Sequence, residues 1–355
     1  MKSGGEIGFL RGLRAVVGSF GPVRVGIGDD AAILQIPKGH EALVTTDMFL
    51  EGRHFLRGFG PWESVGHRCL ARGISDIAAM GGKPVAAFLS LAMPSTEVRK
   101  RVAVDGFLAG YLGLAAGFKV QLAGGDTAEA PGKEFLADVV MVGSAPRGRA
   151  LLRSGAKVGD GIFVTGSLGG SAAELAHLMR APKRFARARA EEGHPHLFPA
   201  PRVGVGLALS RRRLASACID VSDGLSTDLN HLCEESGVGA EIFAEAIPVH
   251  GLASLEQALH GGEDYELLFT SSSRVPAAIG GVAVTRIGTV TKRRGMRIVV
   301  GGKKVELEAR GWEHFCGEWA VEVPKHVAME LRHAWGTRAL FGCELTTGVR
   351  RLRSE

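Results

Sequence analysis

The stretch GIGDDAAIL, residues 26–34, sets two carboxylates side by side between glycines and an apolar run. Two adjacent negative charges repel each other, so the pair Asp29 and Asp30 needs a physical reason. One reading is a solvated turn, because glycine and aspartate are both turn formers. The other is a cation site, where a hard ion such as Mg²⁺ cancels the repulsion. The choice depends on whether similar stretches recur along the chain.

Acidic residues do recur, each at the edge of a predicted strand or helix and next to Gly, Ser or Thr. The segments are GIGDD (26–30), TTD (45–47), ISD (74–76), AGGD (123–126), IDVSDG (219–224) and GGED (261–264). Carboxylate and hydroxyl oxygens are the ligands that Mg²⁺ prefers, with water and substrate phosphates completing its shell. Six ordinary surface turns are the alternative. The shared strand-edge position favours metal–phosphate chemistry, and therefore phosphoryl transfer.

Strands and helices alternate along the chain, which predicts an α/β fold. The apolar spacing predicts a helix over 61–82 that stops at two glycines, and another over 95–117 with Ser95 as its N-cap. The glycines at 166–170 precede a helix whose N-terminus is a plausible anion site. A basic, alanine-rich helix at 180–192 reads as a solvated face. The predicted domains are 1–148 and 149–316, followed by an extension over 317–355 without an assigned role.

Composition limits the class of protein. The chain of 355 residues is 45% hydrophobic and 23% charged, which is typical of a globular protein. It has no apolar run of the ~18 residues that a membrane span needs, and its first residues lack the features of a signal peptide. The five cysteines are scattered, which indicates free thiols and a cytoplasmic location. The sequence contains neither a Walker A motif nor a protein-kinase motif set.

A specific resemblance rests on many motifs in a fixed order between residues 4 and 315. They are GIGDDAA, TTDMFLEGRHF, ISDIAAMGGKP, AGGDT, RSGAKVGD, VTGSLGGSAAEL, HLFPAPR, IDVSDGLSTDL, GGEDYELLFT and RGWEHF. Together they resemble the thiamine-monophosphate kinase family, within the superfamily shaped like aminoimidazole ribonucleotide synthetase. The resemblance implies a two-domain α/β fold whose N-terminal sheet pairs with its copy in a homodimer. It also implies transfer of the ATP γ-phosphate to thiamine monophosphate with several Mg²⁺ ions.

The resemblance also implies roles for individual residues. The implied metal shell comprises Asp29, Thr45, Thr46, Asp47, Asp76, Asp126, Asp220 and Asp223. The implied ATP contacts are Gly125, Asp126, Arg153 and Ser222. The implied contacts with thiamine monophosphate are His54, Glu263 and Trp312. No residue is expected to act as a general base, because the acceptor phosphate is already ionised near neutral pH. The residues that recognise adenine stay unassigned.

The sequence also allows other functions. Another ATP-dependent member of the same superfamily, acting on a different phosphate or amide acceptor, is the alternative enzyme. Selenophosphate synthetases need a reactive N-terminal cysteine, whereas the first cysteine here is Cys69, inside a predicted helix. A nucleic-acid-binding protein is the alternative from another class, because the net charge is +6. Its basic segment 180–192 offers Phe185 as its one aromatic residue, so we expect no nucleic acid partner and no membrane partner.

Overall fold

The first sheet supplies one wall of the site. The computed structural model describes residues 12–14, 17, 21–28 and 30–312. The strands of the first part of the chain are β1 Val23–Val25, β2 Ile33–Leu34, β3 His40–Leu50, β4 Lys83–Met93, β5 Gln121–Glu129 and β6 Leu136–Pro146. Strands β3 to β6 form one sheet in the order β3-β6-β4-β5, with β4 and β5 parallel and the other neighbours antiparallel. Strands β1 and β2 pair with each other.

Between residues 30 and 148 of the described chain, the helices that accompany this sheet are α1 Trp62–Ala79, α2 Ser95–Lys100 and α3 Val102–Phe118. Helix α1 is buried along most of its length and packs against β3, β6 and α3. Its approach to α3 is very close, because a Cβ at Gly66 would lie 1.8 Å from the Phe107 carbonyl oxygen. The helix ends where expected, with Met80 as its C-cap and Gly81 in a left-handed conformation.

The prediction of one helix over 95–117 was wrong in two respects. Arg101 adopts φ 68°, which interrupts the helix between α2 and α3. Ser95 is the first helical residue rather than the N-cap, a position that Pro94 occupies. Proline fixes φ near the value a helix start requires but offers no side-chain acceptor, so sequence reasoning preferred the serine.

The second sheet contains the remaining strands. They are β7 Gly161–Thr165, β8 Ala217–Asp220, β9 Gly239–Phe243, β10 Leu267–Ser271, β11 Ala278–Ile279, β12 Val282–Thr291, β13 Gly295–Val300 and β14 Lys303–Leu307. Their order is β14-β13-β9-β12-β7-β10-β8, and β11 pairs with β12. Strand β10 lies antiparallel between β7 and β8. The β13–β14 hairpin around Gly301 and Gly302 agrees with the sequence-based expectation.

Four helices belong to this part of the chain: α4 Gly170–Arg180, α5 Val203–Arg212, α6 Leu225–Ser236 and α7 Leu255–His260. The predicted basic helix over 180–192 was wrong. That segment holds two short 3₁₀ turns, Pro182–Phe185 and Ala190–Glu192. Proline at 182 removes a backbone donor that a longer helix would use, which explains why alanine content misled the interpretation.

One hydrophobic cluster joins the two sheets. It contains Leu43 and Met141 from the first sheet, Ile77 from α1, Leu209 from α5 and Phe269 from β10. The backbones of α1 and α5 also approach closely, because a Cβ at Gly206 would lie 2.0 Å from the Ala78 carbonyl oxygen. Helix α1 is therefore held between the two sheets, and its polar residues reach both.

These observations confirm the predicted α/β class, whereas several other expectations stay predictions. The domain boundary at 148/149 and the pairing of N-terminal sheets in a homodimer are among them. Asp29 and the extension over 317–355 lie outside the described residues. Of the described cysteines, Cys69, Cys218 and Cys233 are buried free thiols, as expected. Across the described part of the chain, no helix has both the length and the apolarity that crossing a bilayer requires.

Candidate active site

Three aspartates from different elements meet beside α1. Asp47 comes from β3, Asp76 from α1 and Asp220 from the end of β8. The Thr45 hydroxyl donates a short hydrogen bond to Asp76. The Ser75 hydroxyl donates to Asp220 Oδ2 over 2.6 Å. Neighbouring residues of α1 therefore connect an acid of the second sheet with an acid that faces the first.

The surroundings of these acids resist their ionisation. The pKa of each of Asp47, Asp76 and Asp220 is raised to about 6. Burial is the largest cause in each case, and the charge of a neighbouring acid adds to it. Asp47 Oδ2 is buried and has no hydrogen-bond partner among the described residues. A cation placed here would relieve both the repulsion and the unpaired oxygen.

The strand alternation of β3 separates the two threonines of the TTD motif. Thr45 and Asp47 lie on the face that α1 covers, since their register partners Met141 and Val139 are buried. Thr46 lies on the opposite face and donates to Asp138 Oδ1 over 3.0 Å. The structure thus groups Thr45, but not Thr46, with the three acids. Asp138, the hydrogen-bond partner of Thr46, was missed because it lies in a run of apolar strand residues.

Asp126 lies on β5, on the same face as Asp138, because both are register partners of Ser90 on β4. Its Oδ1 accepts a hydrogen bond from the Thr127 backbone N–H over 2.8 Å. Gly125 adopts φ 151°, and a Cβ there would lie 1.9 Å from the Leu89 carbonyl oxygen, so only glycine fits. Gly125 therefore permits the close packing of β5 against β4, whereas its implied contact with ATP stays a prediction.

A cavity of about 520 Å³ opens beside this motif. Its lining includes Asp126, Gly124, Phe88, Asp30 and the arginine at position 14. The guanidinium of that arginine lies over Gly28, where a Cβ would come within 2.2 Å of its Nη1 atom. Among the described residues, its lining combines glycine backbone, an aromatic side chain, two acids and a cation. Such a mixture suits a ligand with an apolar ring and a phosphate chain.

The loop between β8 and α6 is held by Asp228. Its Oδ2 accepts backbone N–H groups from Ser222, Asp223 and Gly224 at 3.0, 3.1 and 3.0 Å. Asp228 lies in the first turn of α6, where an acid complements the helix dipole. Burial and the nearby Asp220 raise its pKa. The sequence showed Asp228 within a motif, but its spacing did not distinguish a loop-holding acid from a ligand.

The same loop positions two residues predicted to contact substrate. The Glu263 N–H donates to the Ser222 carbonyl over 2.8 Å, and the Trp312 N–H donates to the Asp223 carbonyl over 2.9 Å. Glu263 has φ 64°, a left-handed conformation that costs free energy for a residue with a Cβ. Backbone hydrogen bonds thus connect Glu263 and Trp312, expected at the acceptor, with the loop that carries Ser222, expected at the nucleotide.

Glu263 is ionised because cations surround it. The Arg68 Nη2 atom donates to Glu263 Oε2 over 2.6 Å, and Arg72 Nη1 lies 3.6 Å from Oε1. His196 Nδ1 lies 3.5 Å from Oε2. Burial would raise the pKa of Glu263, but the charges of Arg68, His196 and Arg72 outweigh it and bring the pKa to about 2. Glu263 is therefore ionised, and Arg68 and Arg72 balance its charge.

Arg68 and Arg72 were missed by sequence reasoning. Arg68 is almost fully buried and also donates to the His54 carbonyl over 2.8 Å, so it links the His54 loop with Glu263. The His54 ring stacks on Phe49, and its Nδ1 accepts from the Leu50 N–H over 2.9 Å. The missed signal was the spacing: Arg68, Arg72 and Asp76 follow each other at four-residue intervals on one face of α1.

Arg153 lies within electrostatic reach of the acids. Its charge lowers the pKa of Asp76 and of Asp220 against the larger effect of burial. Its backbone carbonyl accepts from the Ser236 hydroxyl over 3.1 Å, and the residue is exposed. The structure therefore places Arg153 at the open side of the acid group, where its guanidinium is accessible to a ligand.

Comparison with known proteins identifies the family. Residues 28–145 match the family described as AIR synthase related protein, N-terminal domain, and residues 157–301 match its C-terminal domain. A thiamine-monophosphate kinase of Salmonella typhimurium is 39% identical over 313 residues, 83% of this chain and 93% of that protein. One of Bacillus subtilis is 37% identical over 309 residues, 82% of this chain and 94% of that protein. The chain belongs to the thiamine-monophosphate kinase family.

Solved structures agree with this membership. The thiamine-monophosphate kinase from Stenotrophomonas maltophilia K279a shares 32% identity and a TM-score of 0.69, with 82% of this chain and 95% of that chain covered. AaThiL, solved in complex with AMPPCP and TMP, shares 33% identity and a TM-score of 0.67, covering 89% of this chain and 98% of that chain. Resemblance to the hydrogenase maturation protein HypE of E. coli, at 17% identity, extends to the fold alone.

In this member of the thiamine-monophosphate kinase family, one anticipated anion site is already filled. The N-terminus of α4 was expected to bind an anion. Instead, the Asp264 carboxylate accepts from the Gly169 N–H over 2.6 Å and from the Ser171 N–H over 3.0 Å. Burial raises the pKa of Asp264 to about 7 despite these bonds. The acid that follows Glu263 therefore ties α4 to the loop before β10.

Among the described residues, the acids of this kinase-family chain do not form a closed metal cage. Within residues 30–312 and the other described positions, no group of three His, Cys, Asp or Glu side chains is arranged to hold a metal ion by itself. Magnesium, however, is commonly held by one or two carboxylates together with water and substrate phosphates. The donor set beside α1 has the chemistry for that kind of site, namely carboxylates and the Thr45 hydroxyl.

Proposed function

We propose that this protein phosphorylates thiamine monophosphate to thiamine diphosphate with ATP. An oxygen of the acceptor phosphate forms a bond to the γ-phosphorus of ATP. The bond from that phosphorus to the β,γ-bridging oxygen breaks, and ADP leaves. The observation that carries the proposal is the meeting of Asp47, Asp76 and Asp220 beside the ion-paired Glu263. Family membership and the AMPPCP and TMP complex of AaThiL support it.

The nucleotide side of the proposed site uses Gly125, Asp126, Arg153 and Ser222. The cavity beside Asp126 has room and polarity for part of a nucleotide. Arg153 offers a planar guanidinium that can bind two phosphate oxygens and offset charge that develops during transfer. The Asp228 bonds to the 222–224 backbone keep this loop in place, so Ser222 needs little reorganisation when the ligand binds.

We further propose that magnesium binds at these acids. The residues that would hold it are Asp29, Thr45, Thr46, Asp47, Asp76, Asp126, Asp220 and Asp223. The unpaired Asp47 Oδ2 and the raised pKa values of three acids support this, because an adjacent cation would stabilise their ionised forms. When bound, magnesium supplies charge neutralisation and orientation of the phosphates. The number of ions and the contribution of Thr46 and Asp126 depend on how the nucleotide spans the two faces.

The acceptor side of the proposed site uses His54, Glu263 and Trp312. Thiamine monophosphate carries a positively charged thiazolium ring, which we place next to Glu263, whose carboxylate is ionised and paired with Arg68 and Arg72. An indole face at Trp312 favours a cationic or aromatic ring above it. Because the acceptor phosphate is already ionised, the chain's task is to bring two anions together and to hold them in line. This proposal assigns no general base.

A second copy of the chain is part of the proposal. Strand β3 is the edge of the first sheet, and Val44 and Met48 on its outer face are 66% and 61% exposed. Exposed apolar side chains on an edge strand support a pairing of sheets between two copies. The division into domains 1–148 and 149–316, with 317–355 as an extension, also remains a proposal.

A turnover assay tests the proposed function. Purified protein is incubated with ATP, Mg²⁺ and thiamine monophosphate, and thiamine diphosphate is separated by chromatography. We expect product that requires Mg²⁺ and falls by at least ~10²-fold in Asp47→Asn, because one carboxylate of the acid group is lost. Asp105→Asn is the matched control, since Asp105 is an exposed aspartate paired with Arg101 on the surface.

The outcomes separate the alternatives. Product in the wild type and in Asp105→Asn, with loss in Asp47→Asn, would establish both reaction and site. Absence of thiamine diphosphate from folded wild-type protein that still consumes ATP with another phosphate or amide acceptor would point to the alternative superfamily activity. Equal activity of Asp47→Asn and wild type would remove the acid group from the mechanism.

A further inference from the structure

Arg72 stands between the two halves of the proposed site and makes a long ion pair with each of them. Its Nε atom lies 3.5 Å from Asp47 Oδ1, and its Nη1 atom lies 3.6 Å from Glu263 Oε1. Both distances exceed those of good hydrogen bonds. The Nε atom is buried and has no hydrogen-bond partner among the described residues. Arg68, one turn earlier, instead makes a 2.6 Å contact with Glu263.

The position of this guanidinium is fixed by its neighbours. Its Cζ atom lies 5.9 Å from the centre of the Phe49 ring, and that of Arg68 lies 5.4 Å from the same ring. The adjoining Gly73 lets α1 lie close to β6, because a Cβ there would lie 2.9 Å from Met141 Cβ. The Arg72 side chain is 20% exposed, so a ligand can reach it. A guanidinium that is reachable and, among the described residues, makes only long ion pairs and has an Nε atom without a hydrogen-bond partner can bind an anion.

The connectivity of the substrate indicates which anion this is. In the proposed function the thiazolium ring lies toward Glu263 and the phosphoryl transfer occurs toward Asp47. The acceptor phosphate must lie between these groups, where Arg72 is. We propose that Arg72 binds the acceptor phosphate and sets the preference for thiamine monophosphate over unphosphorylated thiamine. This inference rests on the proposed function and adds a specificity-determining residue to it.

The competing explanation is that Arg72 is only a counter-ion for Asp47 and Glu263. The two explanations differ in what the substitution changes. A phosphate-binding arginine affects ligands that carry the phosphate and spares those that do not. A counter-ion affects the pocket as a whole, and therefore changes the binding of thiamine and of thiamine monophosphate by the same factor.

The test compares Arg72→Gln and Arg72→Lys with the wild type. Binding of thiamine monophosphate and of thiamine is measured by titration calorimetry. KM is measured for thiamine monophosphate and for ATP. We expect Arg72→Gln to weaken thiamine monophosphate roughly 10- to 100-fold, the range of a charge-assisted hydrogen bond. Binding of thiamine should change less than ~3-fold, and KM for ATP should stay near the wild-type value, since neither depends on the acceptor phosphate.

Arg72→Lys keeps the charge but loses the planar fork, so its affinity for thiamine monophosphate should lie between those of the wild type and Arg72→Gln. Arg101→Gln is the control for removing an arginine, because Arg101 pairs with Asp105 on the surface. Equal losses for thiamine and thiamine monophosphate would overturn the proposal. If Arg72→Gln does not fold, an unchanged ratio of the two affinities in Arg72→Lys would overturn it. Wild-type protein that neither binds nor phosphorylates thiamine monophosphate would instead reject the proposed function itself.

Discussion

At the scale of the residue, Asp220 shows how the site opposes stability. The side chain is almost completely buried, and burial with the charge of Asp47 raises its pKa to about 6. In the unfolded chain an aspartate has a pKa of about 3.9. Between these values the folded protein binds more protons than the unfolded one. The stability that protonated Asp220 contributes is therefore fully present below about pH 4 and is lost as the pH rises through about 6.

Asp220→Asn should consequently stabilise the protein while removing its activity. The amide is neutral at every pH, and its oxygen can still accept the hydrogen bond from Ser75. In buffer without Mg²⁺ at about pH 7.5, we expect the free energy of unfolding by urea to rise by about 1–2 kcal/mol. The difference should vanish near pH 4, where the wild-type carboxyl is protonated. A variant less stable than wild type at about pH 7.5 would contradict this account.

The acids of the site could be predicted from the sequence, but the arginines could not. Asp47 and Asp76 each follow a hydroxyl residue, and Asp220 ends the apolar run of β8, so the sequence alone marks all three acids. Arg68 and Arg72 lie inside a helix, where a charged residue usually faces solvent. Their burial depends on Glu263, almost 200 residues later in the chain. The four-residue spacing of Arg68, Arg72 and Asp76 indicates a shared helix face, but no local pattern identifies Glu263 as the partner.

At the scale of the element, glycines set the distance between α1 and α3. A Cβ at Gly110 would lie 1.8 Å from the Glu63 carbonyl oxygen, as one at Gly66 would from Phe107. Because backbone is the obstructing group, the helices would have to move apart. Any such movement would shift Arg68, Arg72 and Asp76 on α1, so these glycines support the site from a distance.

Gly110→Ala should therefore destabilise the protein by about 3 kcal/mol through overpacking. The matched control lies on the same helix: a Cβ at Gly113 meets nothing within 4 Å. Gly113→Ala should stabilise by up to about 1 kcal/mol, because alanine is the better helix former. Urea unfolding of both variants measures the difference. If both substitutions stabilised the protein, helix propensity rather than the close approach would govern this helix.

Element types were more predictable than their ends and caps. Helix α1 and the β13–β14 hairpin follow from apolar spacing and paired glycines. The break at Arg101 does not, because an arginine with φ 68° carries no sequence mark of that conformation. The N-terminus of α4 has the glycines of an anion site, but Asp264 arrives there from a distant turn. Contacts with residues distant in the chain decide these conformations and caps, and the local sequence does not show those contacts.

At the scale of the whole molecule, one of the hydrophobic clusters spans the two regions that match separate family domains. The match ends at residue 145 and resumes at 157. Yet Met141 of the first sheet and Phe269 of the second belong to the same hydrophobic cluster, together with Leu209 of α5. Hydrophobic burial shared in this way makes each sheet's stability depend on the other. The acid group, which draws on both sheets, then lies inside one cooperative unit.

We therefore expect the two sheets to open together. In native-state hydrogen exchange with increasing denaturant, amides of β6 and β10 should converge on the same free energy of opening. Leu209→Ala, which empties a fully buried position on α5, should lower both values alike by about 2–5 kcal/mol. Because exchange is followed in separate peptides, the opening free energies of β6 and β10 are measured without a contribution from residues 313–355. If Leu209→Ala lowered the opening free energy of β10 and left β6 unchanged, the sheets would be separate units, and only bound ligand could then couple Asp47 to Asp220.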